Sequence, residues 1–231
     1  MWQALREELH PQGIEIVTVA LDTGGADAAR PFIEAARPTH PSLIDRAHLC
    51  DELLGIVNVP SSVWIDEHGT IVRPAEPAWP GSTPVLDMLA ELTADVPPER
   101  KNVIDEIRRF HITPEVTAVM LRDWAERGAD SRYVLSPDEV IARSQLRGID
   151  EAAAAAHFEL AQHLHLAGDH DAAVGHFRNA HRLDPSNWTY RRQAWSLETS
   201  DTTGTVERYG TGWLESVQAI GAEQYYPEIR P

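Results

Sequence analysis

The chain has 231 residues, 42% of them hydrophobic, enough for one large packed domain or two small ones, and two units are expected. Its 20 basic residues against 36 acidic ones leave a net charge of −16, which repels nucleic acid and anionic membrane surfaces and favours basic partners. Cys50 is the single cysteine, so no internal disulfide, Cys-x-x-Cys pair or cysteine-rich zinc site can form within the chain. No apolar run reaches about 18 residues, and Met1 is not followed by a basic region and an apolar core. Neither a membrane span nor a leader is therefore expected, and the protein is expected in the cytoplasm.

Trp2, Leu5 and Leu9 recur at helical spacing with charges between them, and His10-Pro11-Gln12-Gly13 stops that helix. Ile14 to Leu21 is β-branched and nearly continuous in apolar character, which predicts a buried parallel strand. Asp22-Thr23-Gly24-Gly25 then opens a helix carrying Ala28, Ala29, Phe32, Ile33 and Ala36. After the loop Pro38 to Ser42, Leu43-Ile44-Asp45 reads as a short strand. The span Asp45 to Gly55 reads as a helix with Leu49, Leu53 and Leu54 on one side and Gly55 closing it. Cys50, three and four residues before Leu53 and Leu54, is expected to be a small buried hydrophobe; a sensing or peroxidatic thiol would need a base or helix N-terminus that this position does not offer.

From Ile56 to Val72 the pattern is that of two antiparallel strands. Val63-Trp64-Ile65 and Thr70-Ile71-Val72 flank Asp66-Glu67-His68-Gly69, with glycine where a turn needs positive φ. Val59-Pro60 precedes the first strand, where a residue without an amide donor fits the strand's entrance better than its ladder. Gly55-Ile56, Val59-Pro60-Ser61, Ile65-Asp66 and Gly69 together resemble the cis-proline hairpin of thioredoxin-like proteins, most closely the TlpA/ResA branch bordering the AhpC/TSA peroxiredoxins. The resemblance implies a cis Val59-Pro60 peptide and a loop, Val59, Pro60 and Ser61, that faces a substrate chain.

It also implies what is missing. In that family a Cys-x-x-Cys motif opens the helix ahead of the Ile14 strand, and a central strand lies upstream of it; the match covers roughly the last two thirds of such a domain. The absent strand would sit between the Ile14 to Leu21 strand and the proline strand, leaving both with unpaired edges. Three outcomes are open: a truncated or mis-started product, a strand supplied by a partner or a second copy, or closure of the two edges on each other.

Arg73 to Ser82, with Pro74, Pro77 and Pro80, reads as a loop, and Thr83-Pro84 opens a helix with Val85, Leu86, Leu89 and Leu92. Val96-Pro97-Pro98 ends the first unit, residues 1–97. Residues 98–148 form a helical connector: Asn102 to Phe110, a helix after Thr113-Pro114, and a third through Leu146 opened by the capping box Ser136-Pro137-Asp138-Glu139.

The second unit, 149–231, contains Leu160-Ala161, Leu164, Gly168-Asp169, Ala173, Phe177, Ala180, Leu183 and Asp184-Pro185. These resemble one tetratricopeptide repeat, with His157 and His170 where that pattern often has Trp and Tyr. The small alanines would let two antiparallel helices approach, and Leu164 and Phe177 would fill the gap. Trp188 to Glu198 would continue or cap the repeat. His157, His163, His165, His170, His176 and His181 do not form ligand pairs three or four residues apart on one helix, and no metal is predicted. After a loop at Thr202-Thr203-Gly204, a final helix carries Trp213, Leu214, Val217 and Ile220; Tyr225-Tyr226 either packs back or meets a partner.

The expected fold is thus α/β, a partial thioredoxin-like sheet with flanking helices, followed by an all-α tetratricopeptide-like region. The resemblance implies a thiol:disulfide oxidoreductase family, whose chemistry demands a low-pKa cysteine and a resolving one. This chain supplies neither, so no catalytic residue is assigned and no cofactor is predicted. The other reading is a non-enzymatic scaffold whose helical repeat holds a protein or peptide partner. No Gly-x-Ser-x-Gly, phosphate-binding glycine loop or metal motif supports hydrolase or nucleotide chemistry.

Overall fold

The computed structural model describes residues 2–81, 98–144, 146–198 and 206–230, a mixed α/β chain in which helices predominate. The helix expected from Thr83 to Leu92, the boundary at Val96-Pro97 and the loop at Thr202 to Gly204 lie outside the described residues. Among the described residues all strands fall in the first 77 positions. Helix α1 (Trp2–Leu9) buries Leu5 and Leu9 and stops in a 3-10 turn, His10–Gln12. Strand β1 (Thr18–Leu21), helix α2 (Ala26–Ala36) and strand β2 (Ser42–Asp45) make a parallel crossover unit, with Val19 opposite Leu43 and Leu21 opposite Asp45.

Burial along this segment corrects the expectation of a fully buried strand. Ile16 is buried, whereas Val17 and Val19 are exposed: only one face is covered, so the apolar run alternates in environment though not in character. Among the described residues β1 pairs only with β2, and β3 (Ser61–Ile65) pairs only with β4 (Ile71–Pro77), antiparallel and with irregular register around Trp64. Closure of the two edges on each other therefore does not occur among the described residues.

The β3–β4 turn follows from its residues. Gly69 sits at φ 81°, and the Asp66 carboxylate accepts from the His68 and Thr70 amides at 2.9 and 2.8 Å, tying the turn from inside. Trp64 is buried and stacks on Trp124 with ring centroids 4.9 Å apart.

Helix α3 (Leu49–Leu54) is closed by Gly55 at φ 71°, whose amide bonds the Asp51 carbonyl at 2.9 Å. Its inward residue is not the expected leucine. Leu49 and Leu53 are exposed, and Asp51 is buried, because that face of the helix meets polar groups from distant helices.

Beyond the sheets come α4 (Pro98–Ile107), α5 (Val116–Arg127), α6 (Pro137–Arg143), α7 (Ile149–Leu166), α8 (His170–Leu183), α9 (Trp188–Glu198), α10 (Val206–Tyr209), α11 (Trp213–Ile220) and α12 (Ala222–Tyr225). The capping box forms as read: the Ser136 amide donates to Glu139 Oε2 at 2.9 Å, and Pro137 takes the first helical position. That helix ends at Arg143 rather than Leu146, which is exposed.

Helices α7 and α8 form an antiparallel hairpin. Ala154, Ala161, Ala173 and Ala180 are buried along the seam, and Phe158 and Phe177 meet edge to face at 5.7 Å. Small residues permit the close approach, and each buried phenylalanine contributes about 1.5–3 kcal/mol. One apolar cluster runs from Leu5, Leu9, Ile16 and Trp64 through this hairpin to Val217 and Ile229. Tyr225 and Tyr226 belong to it, so they pack back against the chain.

Candidate functional site

The Val59-Pro60-Ser61 loop enters β3 through a cis Val59–Pro60 peptide. Its main chain is engaged at Val59 and Pro60. The Asn58 side chain accepts from the Val59 amide at 2.9 Å and donates to the Tyr225 carbonyl at 2.7 Å. The Ser61 hydroxyl donates to the Asn58 carbonyl at 2.7 Å, and the Ala78 amide to the Pro60 carbonyl at 3.2 Å.

The carbonyls of Val57 and Val59 are taken by the C-terminal helices. The Trp188 and Thr189 amides, in the first turn of α9, donate to the Val57 carbonyl at 2.7 and 3.2 Å. A helix N-terminus has such amides unpaired within itself, and here the loop satisfies two of them. The Val59 carbonyl accepts from Tyr226 Oη at 2.7 Å and from Arg192 Nη1 at 3.1 Å. Arg192 also donates to the Tyr225 hydroxyl. Burial pushes the Tyr226 phenol up to about 12, so it remains a donor throughout the neutral range.

Two further polar clusters join the same parts of the chain. Gln193 Oε1 accepts from the Thr23 amide at 2.8 Å and lies 3.1 Å from His48 Nε2. Since that oxygen only accepts, the proton of His48 is on Nε2, leaving Nδ1 bare and buried without a partner among the described residues. Burial lowers the His48 pKa. Gln162 donates to Thr23 Oγ1 at 2.5 Å, so both α7 and α9 grip the loop after β1.

In the other cluster, Asp51 accepts from Arg147 Nη2 at 2.6 Å, Asn187 Nδ2 at 3.2 Å and the Tyr190 hydroxyl. A buried carboxylate needs such donors. Even so, burial raises its pKa.

Cys50 is half-buried. Its thiol is pushed up to about 11 by burial and by the neighbouring Asp45 carboxylate, which accepts from the Cys50 amide at 2.7 Å. That is the reverse of what a nucleophilic thiol requires.

Of the positions singled out in the sequence, Val59, Pro60 and Ser61 therefore stand together, and Cys50 lies apart from them on α3. Arg192, Asn58 and Asp51 were not singled out, and Tyr226 was marked only as an aromatic that packs back or meets a partner, not as a donor to this loop. For three of them the signal is a partner far away in sequence; for Asn58, adjacency to the proline loop was available. No protein-family model, curated protein or solved structure matches this chain.

Proposed function

We propose that this chain is a thioredoxin-like protein of TlpA/ResA type without thiol chemistry of its own, working as a protein-binding scaffold with a tetratricopeptide-like helical half. The observation that carries this reading is the occupation of the Val59 carbonyl by Arg192 and Tyr226. In the resemblance the main chain of this loop faces a substrate chain; here a partner reaching the Val59 carbonyl would first have to displace two internal donors. Cys50, with its thiol held up near 11, supplies no attacking thiolate. Binding in place of catalysis fits both facts, with basic or neutral protein segments as partners of a chain at −16.

The test is insulin-disulfide reduction by dithiothreitol, run on wild type, on Cys50→Ser and on a version extended upstream in its natural frame. Wild type and Cys50→Ser are expected to match the dithiothreitol background. Acceleration by wild type that Cys50→Ser abolishes overturns the proposal. Acceleration only by the extended version makes the chain the non-catalytic part of a reductase.

A further inference from the structure

The α7–α8 hairpin carries two imidazole pairs that bridge its helices. His157 and His176 approach Nδ1 to Nδ1 at 2.8 Å, and His165 and His170 do so at 3.2 Å with ring centroids 4.6 Å apart. The first pair has the spacing of an ordinary imidazole–imidazole hydrogen bond. The second differs in its surroundings: it lines a surface cleft of about 440 Å3 together with Asp169, Asp171, Glu198 and Arg208.

We propose that His165 and His170 bind one late first-row divalent ion of the zinc class through their Nδ1 atoms, stapling α7 to α8. The argument is geometric first. With Zn–N bonds of about 2.0–2.1 Å, two tetrahedral nitrogen ligands stand roughly 3.3 Å apart, close to the separation already present. The ligands are also preorganised by the fold. His165 lies in the last turn of α7, His170 begins α8, and Gly168 at φ 87° turns the chain between them.

Electrostatics favours a cation. Three carboxylates face one guanidinium in the cleft, and that guanidinium, Arg208, is bonded to both Asp171 and Glu198.

One ring of the pair donates its Nδ1 proton to the other. On metal binding that ring passes to the Nε2–H tautomer by exchange with solvent, so both Nδ1 lone pairs face the ion and no net proton is lost. Among the described residues no group of three histidine, cysteine or carboxylate side chains stands in ligand geometry, so water completes the shell.

The test is calorimetric titration of tag-free protein with zinc chloride in a non-chelating buffer near neutral pH, with thermal melts in parallel. We expect one zinc per chain and a melting temperature that rises with zinc concentration. In His170→Ala, at an exposed position outside the core, affinity falls at least about tenfold and the thermal shift disappears. His176→Ala, on the other pair, retains both. No binding by wild type, or equal binding by wild type and His170→Ala, overturns the proposal and leaves adventitious surface binding.

Discussion

Asp51 on α3 and Tyr190 on α9 are 139 residues apart in sequence, yet the Tyr190 hydroxyl donates to a carboxylate that is only 2% exposed. With Arg147 and Asn187 they form a closed polar cluster where an ordinary core would have leucine. Such a cluster holds the helical half in one register on α3, since any sliding leaves a buried charge without donors.

Removing parts of this cluster is expected to cost unequal amounts. Tyr190→Phe takes away one donor and leaves two, a loss of about 1.5–3 kcal/mol for a hydrogen bond to a charged group. Asp51→Ala leaves the buried Tyr190 hydroxyl and Asn187 amide without their shared acceptor, and is expected to cost more, about 1–3 kcal/mol for each group left unsatisfied. Urea denaturation of the variants measures both; equal, small losses would mean that the cluster contributes little.

Acid should weaken the fold through histidines that are buried neutral. Burial, and then Arg191, depress His181 to about 3, and burial also depresses His48. Both pKa values are lower folded than unfolded, where a histidine titrates near 6.5, so the unfolded chain takes up protons first. Their stabilisation is complete above about 6.5 and is lost as pH falls. His181 alone accounts for about 2 kcal/mol between roughly pH 7.5 and 5. His181→Gln keeps a donor for the Tyr190 carbonyl but does not titrate. Its unfolding free energy should therefore fall less over that interval. The comparison cancels the change in overall charge as pH approaches the isoelectric point.

Cys50 should be slow towards electrophiles. With its thiol near 11, the thiolate fraction at about pH 8 is on the order of a hundredfold below that of a free cysteine. Alkylation by iodoacetamide is expected to be slower by a similar factor and to approach the free-thiol rate in urea. A native rate equal to the unfolded rate would show that the thiol is neither buried nor held protonated.

Features written in short stretches of sequence were legible, and features built from long-range pairs were not. Gly69 with Asp66 specifies its hairpin turn, Ser136 with Glu139 its cap, and Ala161, Ala173 and Ala180 their helix seam, because each signal lies within one or two elements. α3 defeats the same logic. Its leucines suggest an apolar face, but the residues that meet it, Arg147, Asn187 and Tyr190, cannot be placed without the tertiary fold. The histidines repeat the lesson: ligand spacing along one helix is absent, while His157 meets His176 and His165 meets His170 across the hairpin. At the candidate site, the proline loop was visible locally and its two occupants, 133 and 167 residues downstream, were not.

Those two occupants give the sharpest test of how the loop is held. The Val59 carbonyl has two donors, so Arg192→Ala or Tyr226→Phe alone leaves it with one; Tyr226→Phe should cost an ordinary hydrogen bond, about 0.5–1.5 kcal/mol, and Arg192→Ala, which removes a charged donor, about 1.5–3 kcal/mol beyond any lost packing. Together they leave a carbonyl next to buried Asn58 and Tyr225 with no donor, which adds the desolvation penalty of an unpaired group. The double variant should thus lose more than the sum of the singles by about 1–3 kcal/mol in a urea-denaturation cycle. Exchange of the Trp188 and Thr189 amides, bonded to the adjacent Val57 carbonyl, should speed up in the double variant more than in either single one. Simple additivity with unchanged exchange would mean that water replaces the lost donors freely, and that the loop is open to a partner chain after all.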